Sequence, residues 1–418
     1  MILLTPRSGL LGGGPGLSVS ISLSRAALVC ITVGIILRPL FKSQKRRQRG
    51  LFTPSPLALL PNKRTEDLPY PPDALPGGRD VATPYGSIRV YEWGPEDGDR
   101  ILLVHGISTP VIALGDLAHE LVARGCRVML FDLFGRGYSD APNNLAYDAR
   151  LYTTQLLLVL ASSAVPWPRF HLVGYSLGGG LGVAFARYFP HLVRSLTLIA
   201  PGGLIRPHHV GWRSRLLYDS GLLPESLVRW LVRRRIRPGA AAPPSQTGGD
   251  RAGVLAVAAA ESRTNARVTT GDGDANGGET FDSAAISKRR PGVTVAEVVR
   301  WQVDCHEGFI MAFLSSIRHA PIYAPQEDWT ALAAILRARR STGGHGAEAE
   351  AKPGLAGGKI LMVLGEYDSV IVKDEIVHDS LRVLGRDGVE FAVLPGGHEL
   401  PITGSTEVAA VMEKFWHR

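Results

Sequence analysis

Residues 174–178, with the sequence Gly-Tyr-Ser-Leu-Gly, decide the fold of this chain of 418 residues. They follow a strand-like run, Phe170–Val173, and precede a stretch of small residues that reads as a helix as far as Tyr188. Glycine two positions before and two positions after Ser176 lets neighbouring backbone pass close to a sharp strand-to-helix turn. We therefore expect this turn to lift the hydroxyl of Ser176, a candidate nucleophile, above a sheet.

Two later apolar runs supply candidates for an acid and a base. Lys359–Leu364 reads as a buried strand and is followed at once by a turn that ends at Asp368. Val389–Leu394 reads as the next strand, and His398 lies on the loop after it. Because the carboxyl ends of parallel strands meet at one edge of a sheet, the order nucleophile, acid, histidine predicts a Ser176–His398–Asp368 triad.

The chemistry needs each of these groups. A serine hydroxyl is a poor nucleophile at neutral pH, so an imidazole must take its proton, and a buried carboxylate must orient that imidazole. Glu366 and Asp374 are the competitors of Asp368: Glu366 comes early in the turn, and Asp374 is placed to begin the next helix.

Backbone N–H groups must stabilise the negative charge of the tetrahedral intermediate. One donor is expected from Leu177, the residue after the nucleophile. The second is expected from Ile107, on the loop that follows the strand Ile101–Val104.

Five motifs follow one another in the chain: His105-Gly106, Phe131–Asp140, Gly174–Gly178, Gly365–Asp368 and Gly397-His398. In this order they resemble the motifs of the α/β-hydrolase superfamily, in its cap-bearing serine branch of esterases, monoacylglycerol lipase-like enzymes and carbon–carbon bond hydrolases. The resemblance covers about residues 80–205 and 294–415. It implies an eight-stranded, mostly parallel sheet with helices on both faces and a helical cap inserted between strands 6 and 7.

The resemblance also implies supporting roles around the nucleophile. His105 and Gly106 would shape the loop that carries the second oxyanion donor, and Gly174 and Gly178 would allow the close turn at the serine. His105 precedes the nucleophile in the chain, so it is not expected to be the base. No metal and no cofactor is expected for this chemistry.

Length and composition predict one catalytic domain with attachments. The chain exceeds the roughly 250 to 300 residues that such a domain needs. The expected layout is a targeting or anchor segment at 1–50, a linker at 51–78, the first part of the core at 79–203, a helical cap at 204–320 with a disordered insertion at about 238–292, and the second part of the core at 321–418 with a flexible loop at about 340–358.

The net charge of +8 lies in the first 65 residues, which carry ten basic side chains and no acid. The rest of the chain is slightly acidic, so nucleic acid is not an expected partner of the core. The apolar segment Leu17–Leu37 precedes a basic cluster, which predicts an uncleaved membrane anchor with the catalytic domain in the cytosol. An Arg-rich, Ser-rich segment without acids is equally typical of a mitochondrial presequence, and that alternative stays open.

Two helices are expected in the cap. Pro224–Ile236 is amphipathic and arginine-rich, and it is either a lid that contacts an anionic membrane or an ordinary solvated helix. Thr294–Ile317 begins with a Thr-x-x-Glu capping box. Asp304–Glu307 brings four ligand-type side chains together, but consecutive residues face different directions around a helix, so no metal is expected there.

These observations predict a serine hydrolase that cleaves an ester of a lipid or another small apolar acyl substrate through an acyl-enzyme. A carbon–carbon bond hydrolase or an acyltransferase would use the same triad, and a non-catalytic ligand-binding module is the alternative from another class. The three cysteines imply no disulfide framework. Nothing in the sequence predicts an oligomeric state.

Overall fold

Eight strands form the central sheet of the structure, a computed structural model that describes residues 50–59, 65–206, 223–236, 281–324, 327–341 and 354–417. The strands lie in the order β8-β7-β6-β5-β3-β4-β2-β1. They are β1 (Gly78–Thr83), β2 (Gly86–Trp93), β3 (Arg100–Val104), β4 (Arg127–Phe131), β5 (Phe170–Tyr175), β6 (Val193–Ile199), β7 (Ile360–Gly365) and β8 (Val389–Leu394).

The sheet is mostly parallel, which confirms the predicted fold class. Strand β2 pairs antiparallel with β1 and with β4, and the other neighbouring strands pair parallel. Strands β5 and β7 are buried along their whole length. A strand buried on both faces needs a helical layer on each face, and this explains why these runs are apolar without alternation.

The helices fall into two contacting groups beside the sheet and a third group inserted in the chain between β6 and β7. Helices α1 and α10 pack together, α2 packs on α3, and α7 packs on α3 and α8. The helices are α1 (Gly115–Ala123), α2 (Ala149–Ala161), α3 (Leu177–Tyr188), α4 (Glu225–Ile236), α5 (Val295–Cys305), α6 (Phe309–His319), α7 (Glu327–Ser341), α8 (Lys373–Leu384), α9 (Leu400–Thr403) and α10 (Ser405–Trp416).

The second predicted cap helix, Thr294–Ile317, is two helices, so the prediction of one continuous helix is wrong. Thr294 forms the predicted capping box with Glu297 at the start of α5. The chain breaks after α5 because the His306 ring turns inward: its Nε2 lies 2.9 Å from the Ser139 carbonyl oxygen, and its Nδ1 accepts from Gly308 N. A ring held at both nitrogens fixes the corner between α5 and α6.

The linker predicted at 51–78 is wrong in part, because described residues of this segment pack on the core. Phe52–Thr53 forms a short antiparallel pair with Ala141–Pro142. Tyr70 is fully buried, and its hydroxyl lies 2.9 Å from the Tyr91 hydroxyl and 3.0 Å from Asp132 Oδ2. Pro and Asp around these positions suggest a loop in the sequence, but one buried tyrosine is enough to tie the segment down.

The predicted disordered insertion also ends earlier than expected, since residues 281–292 are structured. Phe281 and Ile286 are buried, and Asp116 on α1 accepts from Ser287 Oγ at 2.9 Å and from Lys288 N at 2.6 Å. A short segment with two apolar anchors and a carboxylate partner needs no periodic pattern to be fixed. The greater part of the predicted insertion, 237–280, lies outside the described residues.

The predicted flexible loop, about 340–358, is only partly described. Residues 340 and 341 end α7, and Leu355 is fully buried. Residues 342–353 lie outside the described part, as do residues 1–49, which contain almost the whole of the predicted anchor. Among the helices in the described ranges, none combines the length and the apolar character needed to cross a membrane.

Two truncations distinguish the predicted anchor segment from the residues that pack on the core. Removing residues 1–49 is expected to leave the urea midpoint of unfolding unchanged. Removing residues 1–75 deletes Tyr70 and Leu75 from the core and is expected to lower the free energy of unfolding by at least about 3 kcal/mol.

The point variant Tyr70→Ala should reproduce most of this loss in the full-length chain, as followed by circular dichroism in urea. Equal midpoints for the two truncations would show that residues 50–75 contribute nothing to the fold.

Candidate active site

The turn at Ser176 has the geometry that the sequence predicts. Ser176 has φ 51° and ψ −116°, a conformation that side chains rarely adopt, and it stands directly before α3. A Cβ atom on Gly174 would lie 2.2 Å from the Gly178 carbonyl oxygen, and one on Gly178 would lie 2.1 Å from the Val104 carbonyl oxygen. Both glycines are therefore required for the close approach of β3, β5 and α3.

The structure brings the three predicted triad residues into one hydrogen-bonded line. His398 Nε2 lies 3.2 Å from Ser176 Oγ, and His398 Nδ1 lies 2.8 Å from Asp368 Oδ2. The His398 and Asp368 side chains are almost completely buried. A buried carboxylate on Nδ1 keeps the proton there and leaves Nε2 to accept the serine proton.

The environment of the acid separates it from its two competitors. Asp368 Oδ1 accepts from the N–H groups of Val370 and Ile371, both at 2.8 Å. These two bonds fix the carboxylate and leave Oδ2 for the imidazole. Glu366 and Asp374 are exposed, and Asp374 lies in the first turn of α8. Asp368 is the one whose carboxylate is hydrogen-bonded to His398 Nδ1.

Two aromatic side chains enclose His398. The Tyr175 hydroxyl donates to the His398 carbonyl oxygen at 2.8 Å, and the two rings lie 5.2 Å apart. The Phe281 ring lies 5.8 Å from the imidazole. Sequence reasoning missed Phe281, because it lies within the stretch that was expected to be disordered.

His105 orients the peptide that carries the predicted second oxyanion donor. Its Nε2 accepts from Leu133 N at 2.9 Å, so its Nδ1 carries the hydrogen, which it donates to the Gly106 carbonyl oxygen at 2.8 Å. The Gly106 carbonyl and the Ile107 N–H belong to one planar peptide, so holding the oxygen also fixes the direction of the N–H. Burial lowers the pKa of His105 to about 3, which keeps this tautomer neutral.

The next two carbonyl groups of this loop are held in the same way. Arg136 Nε donates to the Ile107 carbonyl oxygen at 3.1 Å. Gln302 Nε2, on α5, donates to the Ser108 carbonyl oxygen at 2.7 Å. Three successive carbonyls are thus pinned by three side chains, and we call these contacts the oxyanion-loop clamp.

Two members of the clamp, Arg136 and Gln302, connect the oxyanion loop to the inserted helices. Arg136 Nη2 donates to Ser316 Oγ on α6 at 2.9 Å, and Gln302 Oε1 accepts from Gly137 N at 2.9 Å. Sequence reasoning quoted Arg136 within a motif and assigned it no role, and it missed Gln302. A signal in the sequence that could have identified Arg136 is that a basic residue stands in a turn that is otherwise buried.

The Arg136 guanidinium carries a buried positive charge, and the hydrogen-bond acceptors found for it in the described ranges are uncharged. It is fully buried, and within the described ranges its hydrogen-bond acceptors are carbonyl and hydroxyl oxygens rather than carboxylates. A buried cation normally requires a paired anion. Its positive potential therefore remains available at the oxyanion loop, where the reaction would place a negative charge.

Comparison with known proteins supports the fold over the first half of the core. Residues 99–227 match the family model described as alpha/beta hydrolase fold. This range contains Ser176 and both predicted oxyanion donors, whereas Asp368 and His398 lie outside it.

Relatives are similar over a limited stretch. A serine hydrolase-like protein of Danio rerio is 28% identical over 126 residues, which are 30% of this chain and 38% of that protein. The 2-hydroxy-6-oxo-2,4-heptadienoate hydrolase of Pseudomonas putida is 34% identical over 109 residues, or 26% and 39% of the two chains. The chain thus spans about two fifths of the length of these relatives.

Solved structures share the fold at low identity. A bacterial membrane phospholipase A has a TM-score of 0.50 with 17% identity over 95% of this chain and 97% of its own. A putative lipase of Acinetobacter baumannii also has a TM-score of 0.50, with 14% identity over 82% and 91% of the two chains. Likeness at this level of identity describes architecture alone.

Two buried histidines should make the fold sensitive to acid. Burial lowers the pKa of His105 to about 3 and that of His306 to about 4, whereas both titrate near 6.5 in the unfolded chain. Below pH 6.5 the unfolded chain binds protons at these two histidines and the folded chain does not. The free energy of unfolding therefore decreases as the pH falls below 6.5. Replacing His306 with Gln should remove about 2 kcal/mol of the loss between pH 7 and pH 5.

Urea unfolding at the two pH values measures this loss in the full-length chain and in the variant. The exposed His191→Gln variant is the control, because its ring is in water in both states. A wild-type slope in His306→Gln would contradict the assignment.

Proposed function

We propose that this chain, a member of the α/β-hydrolase superfamily, is a serine hydrolase that cleaves an ester of a lipid or another apolar acyl substrate through an acyl-enzyme. One observation carries the proposal: Asp368, His398 and Ser176 form a continuous hydrogen-bonded line at a strained strand-to-helix turn. A serine held in this conformation without a catalytic purpose would be a cost to the fold.

The steps follow from the geometry. His398 Nε2 takes the proton of Ser176 as Oγ attacks the ester carbonyl carbon, and Asp368 stabilises the imidazolium. The same proton then passes to the leaving alcohol as the carbon–oxygen bond breaks, which leaves an acyl group on Ser176. Water, deprotonated by His398, releases the acid and restores the serine.

The proposed oxyanion donors are the N–H groups of Leu177 and Ile107. Leu177 is the first residue of α3, and the first N–H groups of a helix have no partner within it. Ile107 N–H belongs to the first peptide of the oxyanion-loop clamp. The partial positive charge at the start of α3 adds to the stabilisation of the oxyanion.

Apolar side chains support the proposed substrate class. Phe281 faces the His398 ring. Helix α4 exposes 39% of Leu227 and 54% of Trp230 beside the arginines of its last turn. This combination of an exposed indole and basic side chains suits contact with an anionic lipid surface.

A membrane location is proposed from the N-terminal sequence. We propose that residues 1–50 anchor the chain with its catalytic domain in the cytosol, with a mitochondrial presequence as the alternative. Alkaline carbonate should leave the full-length chain in the membrane fraction, and the truncation after residue 49 should become soluble. A carbonate-soluble mature chain that begins near residue 50 would contradict the anchor.

Replacing the triad residues tests the mechanism. Ser176→Ala should abolish fluorophosphonate labelling, and His398→Ala should lower turnover by at least about a thousandfold. Asp368→Asn should be severely impaired, because the imidazole loses its orienting carboxylate. Glu366→Gln, two positions before Asp368, is the matched control and should keep near wild-type turnover.

Hydrolysis of 4-nitrophenyl esters from acetate to palmitate reads out both the triad and the substrate class. We expect turnover with medium or long acyl chains. A carbon–carbon bond hydrolase is the second candidate, because the Pseudomonas putida relative carries that activity in its name. Turnover of a 2-hydroxy-6-oxo-dienoate without ester hydrolysis would favour it. Wild-type activity in Ser176→Ala would exclude both.

The oxyanion-loop clamp should act on the chemical step rather than on substrate binding. Arg136→Met removes the buried charge and should lower kcat by about 10- to 100-fold with little change in KM. Arg136→Lys keeps the charge and should recover part of kcat.

Arg127→Met is the control, because Arg127 is a largely buried arginine on β4 that pairs with Glu92 on the neighbouring strand β2. It should change stability without changing kcat. Equal losses of kcat in Arg136→Met and Arg136→Lys would show that the charge itself contributes nothing.

A further inference from the structure

A cavity distinct from the triad lies at the end of the sheet opposite to Ser176. Its volume is about 400 Å³, and it opens at the amino ends of β3, β5 and β6. His171 lies on β5, and Ser176 follows the end of this strand five residues later, so the two sites are separated by roughly 17 Å. The residues that line it are Asp99, Arg100, Arg169, His171, Arg194 and Gly354, and we call it the basic cavity.

The basic cavity carries an excess of positive charge. Arg194 Nη1 lies 2.5 Å from Asp99 Oδ1, which neutralises one of its three guanidinium groups. Arg100 Nε donates to the carbonyl oxygen of Pro166 at 2.6 Å, so its charge is not paired by this contact. Arg169 is exposed, and no ion pair is found for it among the described residues. Two positive charges therefore remain for a ligand.

His171 supplies an independent sign of a ligand at the inner wall of the basic cavity. Only 3% of it is exposed, and its Nδ1 lies 2.6 Å from Ser195 Oγ. Its Nε2 is buried without a hydrogen-bond partner in the described part of the chain. A buried polar atom without a partner costs about 1–3 kcal/mol, so a native structure rarely keeps one without a reason.

The backbone around His171 is irregular as well. The register of β5 against β6 shifts between Phe170 and His171. Shifts of this kind re-aim a side chain and are frequent beside functional sites. The other face of the ring packs on Trp416, with ring centroids 4.3 Å apart, so the imidazole is held in place.

Protonation of His171 is not needed for it to bind an anion. Burial, followed by the nearby Arg194 charge, lowers the pKa of His171 to about 4. The neutral ring can accept from the Ser195 hydroxyl at Nδ1 and then carries its hydrogen on Nε2. A neutral N–H donor beside guanidinium groups is a suitable partner for an oxyanion.

We propose that the basic cavity binds the phosphate group of a small molecule, through the guanidinium groups of Arg169 and Arg194 and the Nε2–H of His171. Arg100 lines the same cavity, and its uncompensated charge together with that of Arg169 suits a phosphate dianion better than a single carboxylate. Arg194 is half exposed and pairs with a half-exposed Asp99, so it can exchange that carboxylate for the ligand at small cost. The volume leaves room for more than phosphate alone.

Isothermal titration with inorganic phosphate tests the site, against sodium chloride of equal ionic strength. We expect saturable binding by the full-length chain and at least a tenfold loss of affinity in the double variant Arg169→Ala/Arg194→Ala. Arg150→Ala removes a charge from an exposed arginine outside the basic cavity and should bind as tightly as the wild type. Both changes lie on the surface, so circular dichroism should show folded protein.

Nuclear magnetic resonance of ring-labelled histidine gives a local readout. Phosphate should shift one resonance, which is absent in His171→Gln. Vesicles of phosphatidylcholine with and without phosphatidic acid identify the source of the phosphate group: capture lost in the double variant assigns a lipid headgroup, and equal capture assigns a soluble compound. No saturable binding, or equal affinity in the double variant, would overturn the proposal.

Discussion

The positive φ of Ser176 is the constraint around which the sheet is arranged. A strained residue persists only where its surroundings fix it more than once, and here three contacts do so. Ser176 N donates to the Ile199 carbonyl oxygen on β6, and the Ser176 carbonyl oxygen accepts from Gly179 N and Gly202 N. Hydrogen bonds therefore hold the Ser176 N–H to β6 and the Ser176 carbonyl oxygen to Gly202, on the loop after β6.

The oxyanion-loop clamp fixes the proposed donor to the oxyanion, just as the contacts of Ser176 fix the nucleophile. Donors that are already oriented stabilise an oxyanion without reorganising during the reaction. Here the orientation comes from three side chains in different parts of the chain, and two of them contact the inserted helices. A displacement of α5 or α6 would therefore shift the peptides of Ile107 and Ser108, which makes these helices part of the proposed catalytic apparatus.

The sequence predicts the sheet and the triad because both depend on local signals in a fixed order. Short apolar runs predicted β3, β5, β7 and β8 to within two residues, and Ser176, Asp368 and His398 each follow such a run. The contacts that depend on tertiary structure escaped prediction. Tyr70 and Phe281 are single aromatic anchors in stretches of loop-like composition, and one residue produces no periodicity.

The break between α5 and α6 escaped prediction for a related reason. Residues 294–317 keep a helical pattern on both sides of His306, and the corner is made by a bond from its ring to the Ser139 carbonyl, 167 positions away. Propensity carries no information about a partner at that distance. Similarly, Arg136 and Gln302 could not be recognised without the carbonyl groups that they hold.

The buried histidines show what separates a catalytic imidazole from a structural one. His105 Nε2 accepts from a backbone N–H, and both nitrogens of His306 are bonded to backbone atoms, so neither ring has a lone pair directed at a reactive group. His398 differs in both bonds: its Nδ1 faces a carboxylate and its Nε2 faces a hydroxyl. Burial alone would make a histidine a poor base, as the low pKa of His105 shows. The carboxylate of Asp368 orients the His398 ring, and in the proposed mechanism Nε2 takes the serine proton and passes it to the leaving group.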